Sequence, residues 1–254
     1  MIQLKRFYKN LPRCYARQNL DSSLSFGIMK YSSLKEERKL WKEGKKRVVC
    51  LDEAGRGPLA GPVVAAAVTI RPAKYKIQNT KYKIRDSKKL TPQKREELYR
   101  ILTKHPNIKW GIGKASEKVI DKINILEATK IAMVKAVRNL NCKLKIANCK
   151  INFLILDGNF TLPAEALAKA GINSKIPQKA IIKADEKVFS CKIASIIAKV
   201  TRDRIMEKFH KKYPSYGFAK HKGYGTKYHF RMLKKYGPCK IHRKSFDPVK
   251  RLLG

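Results

Sequence analysis

Two adjacent acidic residues, Asp52 and Glu53, interrupt the apolar segment VVCLDEAGRGPLAGPVVAAAVTI at residues 48–70. An unpaired charge is costly to bury, so a core strand has no structural use for this pair. Two later strand-like segments also end in acidic residues, INFLILD at Asp157 and KAIIKAD at Asp185. In open α/β sheets, functional sites form beyond the ends of strands. We therefore expect these four carboxylates to converge.

Carboxylates that gather in one place repel one another and need cations between them. Mg²⁺ suits such a cluster, because it is bound by one or two carboxylates together with phosphate oxygens of the substrate. Two such ions can activate water and stabilise the leaving oxygen of a phosphodiester. Because consecutive strand residues point to opposite faces, we expect Asp52 and Glu53 to share the site only if the strand ends or bulges between them. Gly55 makes such an irregularity plausible.

Each acidic residue also has a structural explanation. Asp157 and Gly158 form a common turn dipeptide. Asp185 could cap the helix that follows it. Asp52 and Glu53 could pair with surface lysines. Any one of these explanations outweighs a functional role for a single residue, but the coincidence of three strand ends favours a site.

The composition indicates a polyanionic partner. The chain has 254 residues, with 59 Lys and Arg against 19 Asp and Glu, a net charge of +40. Such an excess favours nucleic acid, although a host with generally basic proteins would produce it as well. The six cysteines lack metal-binding spacing, and no apolar segment approaches the roughly 20 residues of a membrane span. We expect free thiols, a cytoplasmic location and no membrane association.

The pattern of elements predicts an α/β fold, a mixed sheet flanked by helices with a helical, basic C-terminal part. Early strands without helices between them favour antiparallel pairing, and later strands separated by helices favour parallel crossovers. The predicted strands cover residues 47–51, 63–70, 108–115, 151–157 and 179–185. The predicted helices cover 33–43, a segment that begins at Thr91, 125–140, 163–170 and 191–213.

Three regions are expected along the chain. Residues 1–31 should form a basic, disordered tail rather than a targeting peptide. Residues 32–210 should form the catalytic domain with its N-terminal helix, and residues 211–254 a segment that contacts nucleic acid. The end of the chain is rich in positive charge, since residues 201–254 hold 16 basic and 3 acidic residues. The lysine-rich stretch 74–89 is expected to be a solvated loop with weak phosphate contacts.

Seven stretches of the chain, distributed over residues 33–252, together resemble the type 2 ribonuclease H (ribonuclease HII) family. They are DEAGRGPLAGPVVAAAV, DSKKLT, INILEATKIAM, LDGN, ASIIAKVTRDR, YPSYGFAKHKGYGT and HRKSFDPVK. The resemblance implies a ribonuclease H-like fold. It also implies cleavage of the RNA strand of RNA/DNA hybrids, and of single ribonucleotides embedded in DNA, with a 5′-phosphate and a 3′-hydroxyl as product ends.

The resemblance also implies roles for individual residues. The family's four catalytic acids, which bind two Mg²⁺ or Mn²⁺ ions, fall on Asp52, Glu53, Asp157 and Asp185. Its G-R-G motif, which contacts the backbone around the ribonucleotide, falls on Gly55, Arg56 and Gly57, and the tyrosine of H-K-G-Y, which senses the junction, falls on Tyr224. Glycines allow close approach to a nucleic acid, and the 2′-hydroxyl is the local mark that separates RNA from DNA.

Some features depart from the family pattern or leave alternatives open. The 28 positions between Asp157 and Asp185 exceed the expected loop. Lys192 stands near the acids in the sequence; it could partly neutralise the cluster, but we expect it to be a surface residue. His221 and His229 are expected to be structural or to contact phosphate. The aromatic residues of this region interleave with Lys and Gly and are expected to face nucleic acid. They are Tyr213, Tyr216, Phe218 and Tyr224.

The sequence thus predicts a monomeric, metal-dependent endoribonuclease. Its partners would be RNA/DNA hybrids and DNA with embedded ribonucleotides. One alternative is a protein of the same fold that binds hybrids without cleaving them, against which the four intact acids argue. A second alternative is a nuclease of this fold with another substrate, such as branched DNA, against which the G-R-G and H-K-G-Y motifs argue.

Overall fold

The computed structural model describes residues 34–72, 90–146 and 150–253. The predicted tail at 1–31, Ser33, the loop at 74–89 and most of DSKKLT lie outside these residues. The strands are β1 (Val48–Ala54), β2 (Val63–Ile70), β3 (Ile108–Ala115), β4 (Phe153–Asp157) and β5 (Gln178–Ile181). The helices are α1 (Lys35–Lys42), α2 (Pro92–Lys104), α3 (Glu117–Ile123), α4 (Ile125–Ile146), α5 (Ala164–Lys169), α6 (Ala184–Lys187), α7 (Phe189–Lys212), α8 (Phe218–His221) and α9 (Lys227–Tyr236).

The five strands form one mixed sheet in the order β3-β2-β1-β4-β5. Strands β1, β2 and β3 are antiparallel neighbours, whereas β1, β4 and β5 run parallel. This arrangement confirms the predicted early meander and later crossovers. The parallel pair β1–β4 has a central place, because it brings the end of the first strand beside the end of the fourth.

Helices cover both faces of the sheet, and residues alternate between them along each strand. On one face, Val49 and Leu51 of β1 belong to the cluster formed with α4, in which Met133 and Leu140 are fully buried. On the other face, Cys50 packs with Cys191 of α7. Because both faces are covered, the central strands are apolar almost throughout.

Local signals set the ends of the helices as predicted. The side chain of Thr91 accepts a hydrogen bond from the backbone N–H of Lys94 and caps α2, and Pro92 occupies the first helical position. Gly44 follows the end of helix α1 with a φ of 80°, and its N–H donates to the carbonyl of Trp41. The division of the chain at residues 210 and 211 stays a prediction.

The C-terminal helices enclose a hydrophobic cluster of their own, and this corrects one prediction. Tyr216 and Phe218 are buried there and stack with ring centroids 5.5 Å apart. The expectation that they face nucleic acid is therefore wrong, since their rings serve as core. Tyr224 is exposed, and so are two aromatic residues of α9, Tyr228 and Phe230.

Among the described residues, no helix is long and apolar enough to cross a membrane. The four cysteines in this part of the chain are free thiols: Cys50, Cys142, Cys191 and Cys239.

The contact between β3 and α4 generates a prediction about stability. A Cβ atom on Gly113 would lie 2.0 Å from the carbonyl oxygen of Ala132 and 2.5 Å from the amide nitrogen of Ala136. Because the backbone of α4 cannot move away without disturbing the helix, Gly113→Ala should lower the free energy of unfolding by about 1–3 kcal/mol. A thermal melt checks this. Lys109→Ala, at an exposed position on the same strand, is the control and should leave the melting temperature nearly unchanged. Equal melts for the two variants would contradict the packing described.

Candidate active site

Parallel pairing of β1 and β4 brings the first two predicted acids together. Leu51 and Leu156 are partners in the ladder, so Asp52 and Asp157 each come one residue later, at the same edge of the sheet. The leucines are fully buried on the face of the sheet that packs against α4, and a slip by one residue would move their side chains to the opposite face, which packs against α7. The position of both carboxylates therefore follows from the core.

Asp185 lies at the same edge of the sheet, but it is not at the end of a strand as predicted. Strand β5 ends at Ile181, so the expectation that it runs to Asp185 is wrong. The chain leaves the sheet at Ile182, turns at Lys183 with a φ of 57°, and places Asp185 in the short helix α6. The backbone N–H of Ala184 donates to Asp157 Oδ1 at 2.8 Å, which ties the two acidic segments together. The predicted convergence holds, although the predicted strand end does not.

The three aspartates form a group suited to a metal ion. Asp52, Asp157 and Asp185 each offer a carboxylate oxygen, and these oxygens lie within 4.8 Å of one another. Asp52 and Asp185 are buried, and Asp157 is partly buried. An all-oxygen donor set of this kind matches hard divalent cations such as Mg²⁺ and Mn²⁺. The residues present therefore fit the predicted metal centre.

The electrostatics of the group reflect crowded negative charge. Burial raises the pKa of Asp52 well above its usual range, and the neighbouring Glu53 and Asp157 raise it further. A hydrogen bond from the Ser195 hydroxyl acts in the opposite direction. Burial likewise raises the pKa of Glu53 to about 7, although the Arg56 guanidinium partly offsets this effect. Because the negative charge in this group is crowded and buried, binding of a cation there would be strongly favoured.

Glu53 stands beside the three aspartates rather than among them. The β1–β2 ladder continues without a bulge through Asp52, Glu53 and Ala54, so the predicted break between the two acids is wrong. Glu53 Oε1 lies 3.4 Å from an Arg56 guanidinium nitrogen, and Glu53 Oε2 is buried with no hydrogen-bond partner among the described residues. An unpaired buried carboxylate oxygen is costly, and it marks a position where a water or cation would bind.

The predicted substrate-binding residues line one cavity next to Glu53, with a volume of about 430 Å³. Gly55 has a φ of 97°, and a Cβ atom there would lie 2.0 Å from the Arg202 Nε atom, so glycine is required at this position. A Cβ atom on Gly57 would lie 3.9 Å from a ring carbon of Tyr224. The lining consists of Glu53, Ala54, Gly55, Arg56, Gly57, Arg95, Ser195, Ile196, Lys199 and Tyr224.

Tyr224 presents its ring to this cavity and to solvent. Its side chain is 44% exposed, and the Lys199 Nζ and Arg202 Cζ atoms each lie 5.9 Å from its ring centroid. An exposed aromatic ring flanked by cations can pack against a sugar beside a charged backbone. The structure thus brings the G-R-G segment and Tyr224 together, although 169 positions separate Gly55 from Tyr224.

Sequence reasoning missed or misplaced several residues on α7. Lys192 is only 7% exposed, so the expectation of a surface lysine is wrong. Ser195, which hydrogen-bonds Asp52, and Lys199 both line the cavity and were not singled out. Their spacing of four residues in ASIIAKVTRDR puts them on one face of a helix, which is a signal that could have identified them.

Comparison with known proteins agrees with this geometry. The family model described as Ribonuclease HII matches residues 49–249. The chain is 48% identical over 214 residues to the Ribonuclease HII of Chlamydia trachomatis serovar A, with 84% of this chain and 88% of that protein covered.

Two solved structures share the fold. The ribonuclease H2 of Pyrococcus horikoshii superposes with a TM-score of 0.60 at 31% identity, covering 81% of this chain and 96% of that one. Bst-RNase HIII in complex with Mn²⁺ superposes with a TM-score of 0.54 at 16% identity, covering 82% and 70%, and shows likeness of fold alone. The sequence match extends from the first strand to the C-terminal helices and includes every acid of the site, and the chain therefore belongs to the ribonuclease HII family.

Proposed function

We propose that this chain is a metal-dependent endoribonuclease that cleaves RNA/DNA hybrids and also DNA duplexes at single embedded ribonucleotides. Its family consists of nucleases that hydrolyse the RNA strand of hybrids. The observation that carries the proposal is the convergence of three buried or partly buried aspartates at one edge of the sheet, next to a cavity lined by the G-R-G segment and Tyr224. The reaction would leave a 5′-phosphate and a 3′-hydroxyl.

The residues assigned to metal binding are Asp52, Asp157 and Asp185, with Glu53 beside them. The set of carboxylate oxygens supports the choice of Mg²⁺ or Mn²⁺, and a protein of the same fold has been solved in complex with Mn²⁺. We propose two ions in the active complex. Bound divalent cations supply charge stabilisation at the phosphate and lower the pKa of water. Glu53, whose own pKa is raised to about 7, would help to position either the second cation or the attacking water.

The cavity supplies substrate recognition. Gly55, Arg56 and Gly57 all line the cavity, and the last two are exposed for contacts with the sugar–phosphate chain. Phosphate contacts fix register without identifying the sugar. Tyr224 lies beside Gly57, where its ring can pack on the sugar that follows a ribonucleotide. Recognition of the RNA–DNA junction would therefore require the G-R-G segment and Tyr224 to hold a fixed position relative to each other.

The alternatives receive less support. A protein that binds hybrids without cleaving them has no use for three clustered aspartates, nor for an Asp52 and a Glu53 whose pKa values are raised by burial. A nuclease for branched DNA has no use for a tyrosine placed beside the G-R-G segment. We further propose that the enzyme acts as a cytoplasmic monomer, and the free thiols among the described residues fit a reducing compartment.

The first prediction for this function concerns Asp157. Asp157→Asn keeps an acceptor for the Ala184 N–H but removes a charge from the metal group. Cleavage should fall by at least about 1000-fold, because several kcal/mol of transition-state stabilisation depend on the cation. In EDTA the melting temperature should rise by about 2–4 °C, because like-charge repulsion is relieved.

Glu165→Gln is the matched control, because Glu165 is an exposed acid on α5. It removes the same charge and should change neither the cleavage rate nor the melt. Near-normal turnover of Asp157→Asn with Mg²⁺ would show that the metal site has been assigned to the wrong residues.

A second prediction concerns the exposed lysines of α9, which include Lys227, Lys234 and Lys235. Replacing these three with Gln should weaken hybrid binding similarly for different sequences. It should also flatten the dependence of log K on log salt by about 0.9 for each phosphate that the variant no longer neutralises. The control replaces three exposed lysines of α1, Lys35, Lys39 and Lys42, and should leave the slope unchanged. Losses of affinity that depend on the sequence of the duplex would instead indicate a base-reading surface.

A third prediction concerns Tyr224. Tyr224→Ala should bind a single-ribonucleotide duplex with an affinity within a few-fold of the parent's. It should cleave this duplex roughly a hundredfold more slowly, because misplacing the reacting atoms by about 1 Å can reduce the rate by that factor. Tyr224→Phe should keep most activity, since the ring is retained. The measurement is the single-turnover rate on single-ribonucleotide and all-RNA hybrids, alongside a thermal melt. Tyr228→Ala, at a similarly exposed aromatic residue, is the control. Equal slowing on both substrates that tracks a lowered melt would contradict a sensing role.

A further inference from the structure

The segment that carries His242 and Arg243 runs directly beside the loop that follows G-R-G. The Gly61 N–H donates to the Ile241 carbonyl, and the Arg243 N–H donates to the Leu59 carbonyl, each at 2.8 Å. Both His242 and Arg243 are buried. Both residues belong to HRKSFDPVK, one of the stretches that resemble the ribonuclease HII family, and neither has a role in the function proposed above.

The Arg243 side chain holds the G-R-G segment from behind. Its guanidinium donates to the carbonyl of Arg56 at 2.7 Å, to that of Gly55 at 2.5 Å, and to that of Gly61 at 2.9 Å. A guanidinium is a planar fork whose donors point in fixed directions, so these bonds fix the orientation of the segment. They also occupy carbonyl oxygens that would otherwise present negative partial charge to a nucleic-acid phosphate.

The His242 side chain reaches Tyr224 through a second histidine. His242 Nδ1 lies 2.9 Å from the backbone nitrogen of Cys239, His242 Nε2 lies 3.0 Å from His229 Nε2, and His229 Nδ1 lies 2.9 Å from the Tyr224 carbonyl oxygen. The Cys239 carbonyl is also 3.3 Å from His242 Nδ1, but it already accepts from the His242 backbone N–H.

One assignment of protons satisfies every bond in this chain. The Cys239 N–H can only donate, so His242 Nδ1 accepts and its proton resides on Nε2. That proton is donated to His229 Nε2, which leaves the His229 Nδ1 proton to be donated to the Tyr224 carbonyl. Both rings are then neutral, and burial lowers the pKa of each to about 4. The Tyr224 backbone is thereby tied to the segment that carries Arg243.

We propose that His242 and Arg243 are positioning residues that fix Tyr224 and the G-R-G segment relative to each other, and that cleavage at a single ribonucleotide depends on this spacing more than cleavage of continuous RNA does. The inference rests on the proposed function. A single ribonucleotide offers only one register in which both recognition elements engage their sugars. A continuous RNA strand offers many registers, so a small displacement of either element is tolerated.

The test compares four variants by single-turnover rates on a single-ribonucleotide duplex and on an all-RNA hybrid. His242→Phe keeps the ring shape but removes the donor to His229, whereas His242→Gln can still donate from its side-chain amide. Arg243→Lys keeps the charge but loses the fork. Val249→Ala is the control for stability, because Val249 is buried in the same hydrophobic cluster and its side chain makes no hydrogen bonds.

His242→Phe and Arg243→Lys should slow the single-ribonucleotide substrate at least about tenfold more than the all-RNA hybrid. His242→Gln should recover most of this difference, and Val249→Ala should lower the melt without altering the ratio of the two rates. In a Tyr224→Ala background, His242→Phe should have little further effect on the single-ribonucleotide rate, because both changes act through one contact.

Equal slowing on both substrates in all variants, with the parent active on both, would overturn this inference and leave the proposed function intact. A parent that fails to cleave the single-ribonucleotide duplex would overturn the proposed function and this inference with it. If His242→Phe does not fold, the ratio measured for Arg243→Lys decides the matter by the same criterion.

Discussion

Mutual repulsion among Asp52, Asp157 and Asp185 is the interaction around which the protein is organised. Their oxygens lie within 4.8 Å of one another, and burial of Asp52 and Asp185 strengthens the repulsion because solvent screens it less. The fold withstands this cost because Asp52 and Asp157 directly follow Leu51 and Leu156, the last partners of the β1–β4 ladder, and these fully buried leucines cannot move apart without breaking the core. Rigidity of the sheet is thus what allows the acids to remain close until a cation neutralises them.

The residues proposed to recognise the substrate lie on different elements from the acids proposed to carry out the chemistry. The acids stand on or just beyond the sheet, whereas the G-R-G segment and Tyr224 stand on loops, which tolerate the unusual backbone that a close approach to nucleic acid requires. Two fully buried arginines hold these loops from behind. Arg202 donates to carbonyls of Ala60, Pro62 and Lys222, in parallel with the bonds that Arg243 makes to Gly55, Arg56 and Gly61. Arg202 therefore ties the loops to helix α7, and Arg243 ties them to the C-terminal segment.

Much of this architecture could be predicted from the sequence. Apolar runs and their spacing predicted the strands and their pairing directions, and acids at the ends of those runs predicted the site. The extent of β5 could not be predicted, because KAIIKAD remains strand-like to its end, and only the turn at Lys183 and the tie from Ala184 to Asp157 show where pairing stops.

The buried basic residues were also beyond sequence reasoning. Lys192, Arg202 and Arg243 resemble the many solvated basic residues of a chain with a charge of +40. Their burial depends on packing, and for the two arginines also on carbonyl groups supplied by loops more than a hundred positions away. Similarly, Tyr216 and Phe218 lie in a stretch whose composition is typical of a nucleic-acid-binding surface. Only the side chains that pack against them show that they belong to a hydrophobic cluster.

We propose that the aspartate cluster binds divalent cations and that the protein thereby hydrolyses the phosphodiester at a ribonucleotide. This can be tested by mapping the product ends from a DNA duplex that contains one ribonucleotide, incubated with Mg²⁺, with Mn²⁺ or with EDTA. We expect a single cut with a 5′-phosphate and a 3′-hydroxyl, present with either metal and absent in EDTA. Cleavage that persists in EDTA, or product ends that carry a 2′,3′-cyclic phosphate from attack by the 2′-hydroxyl, would contradict the proposal.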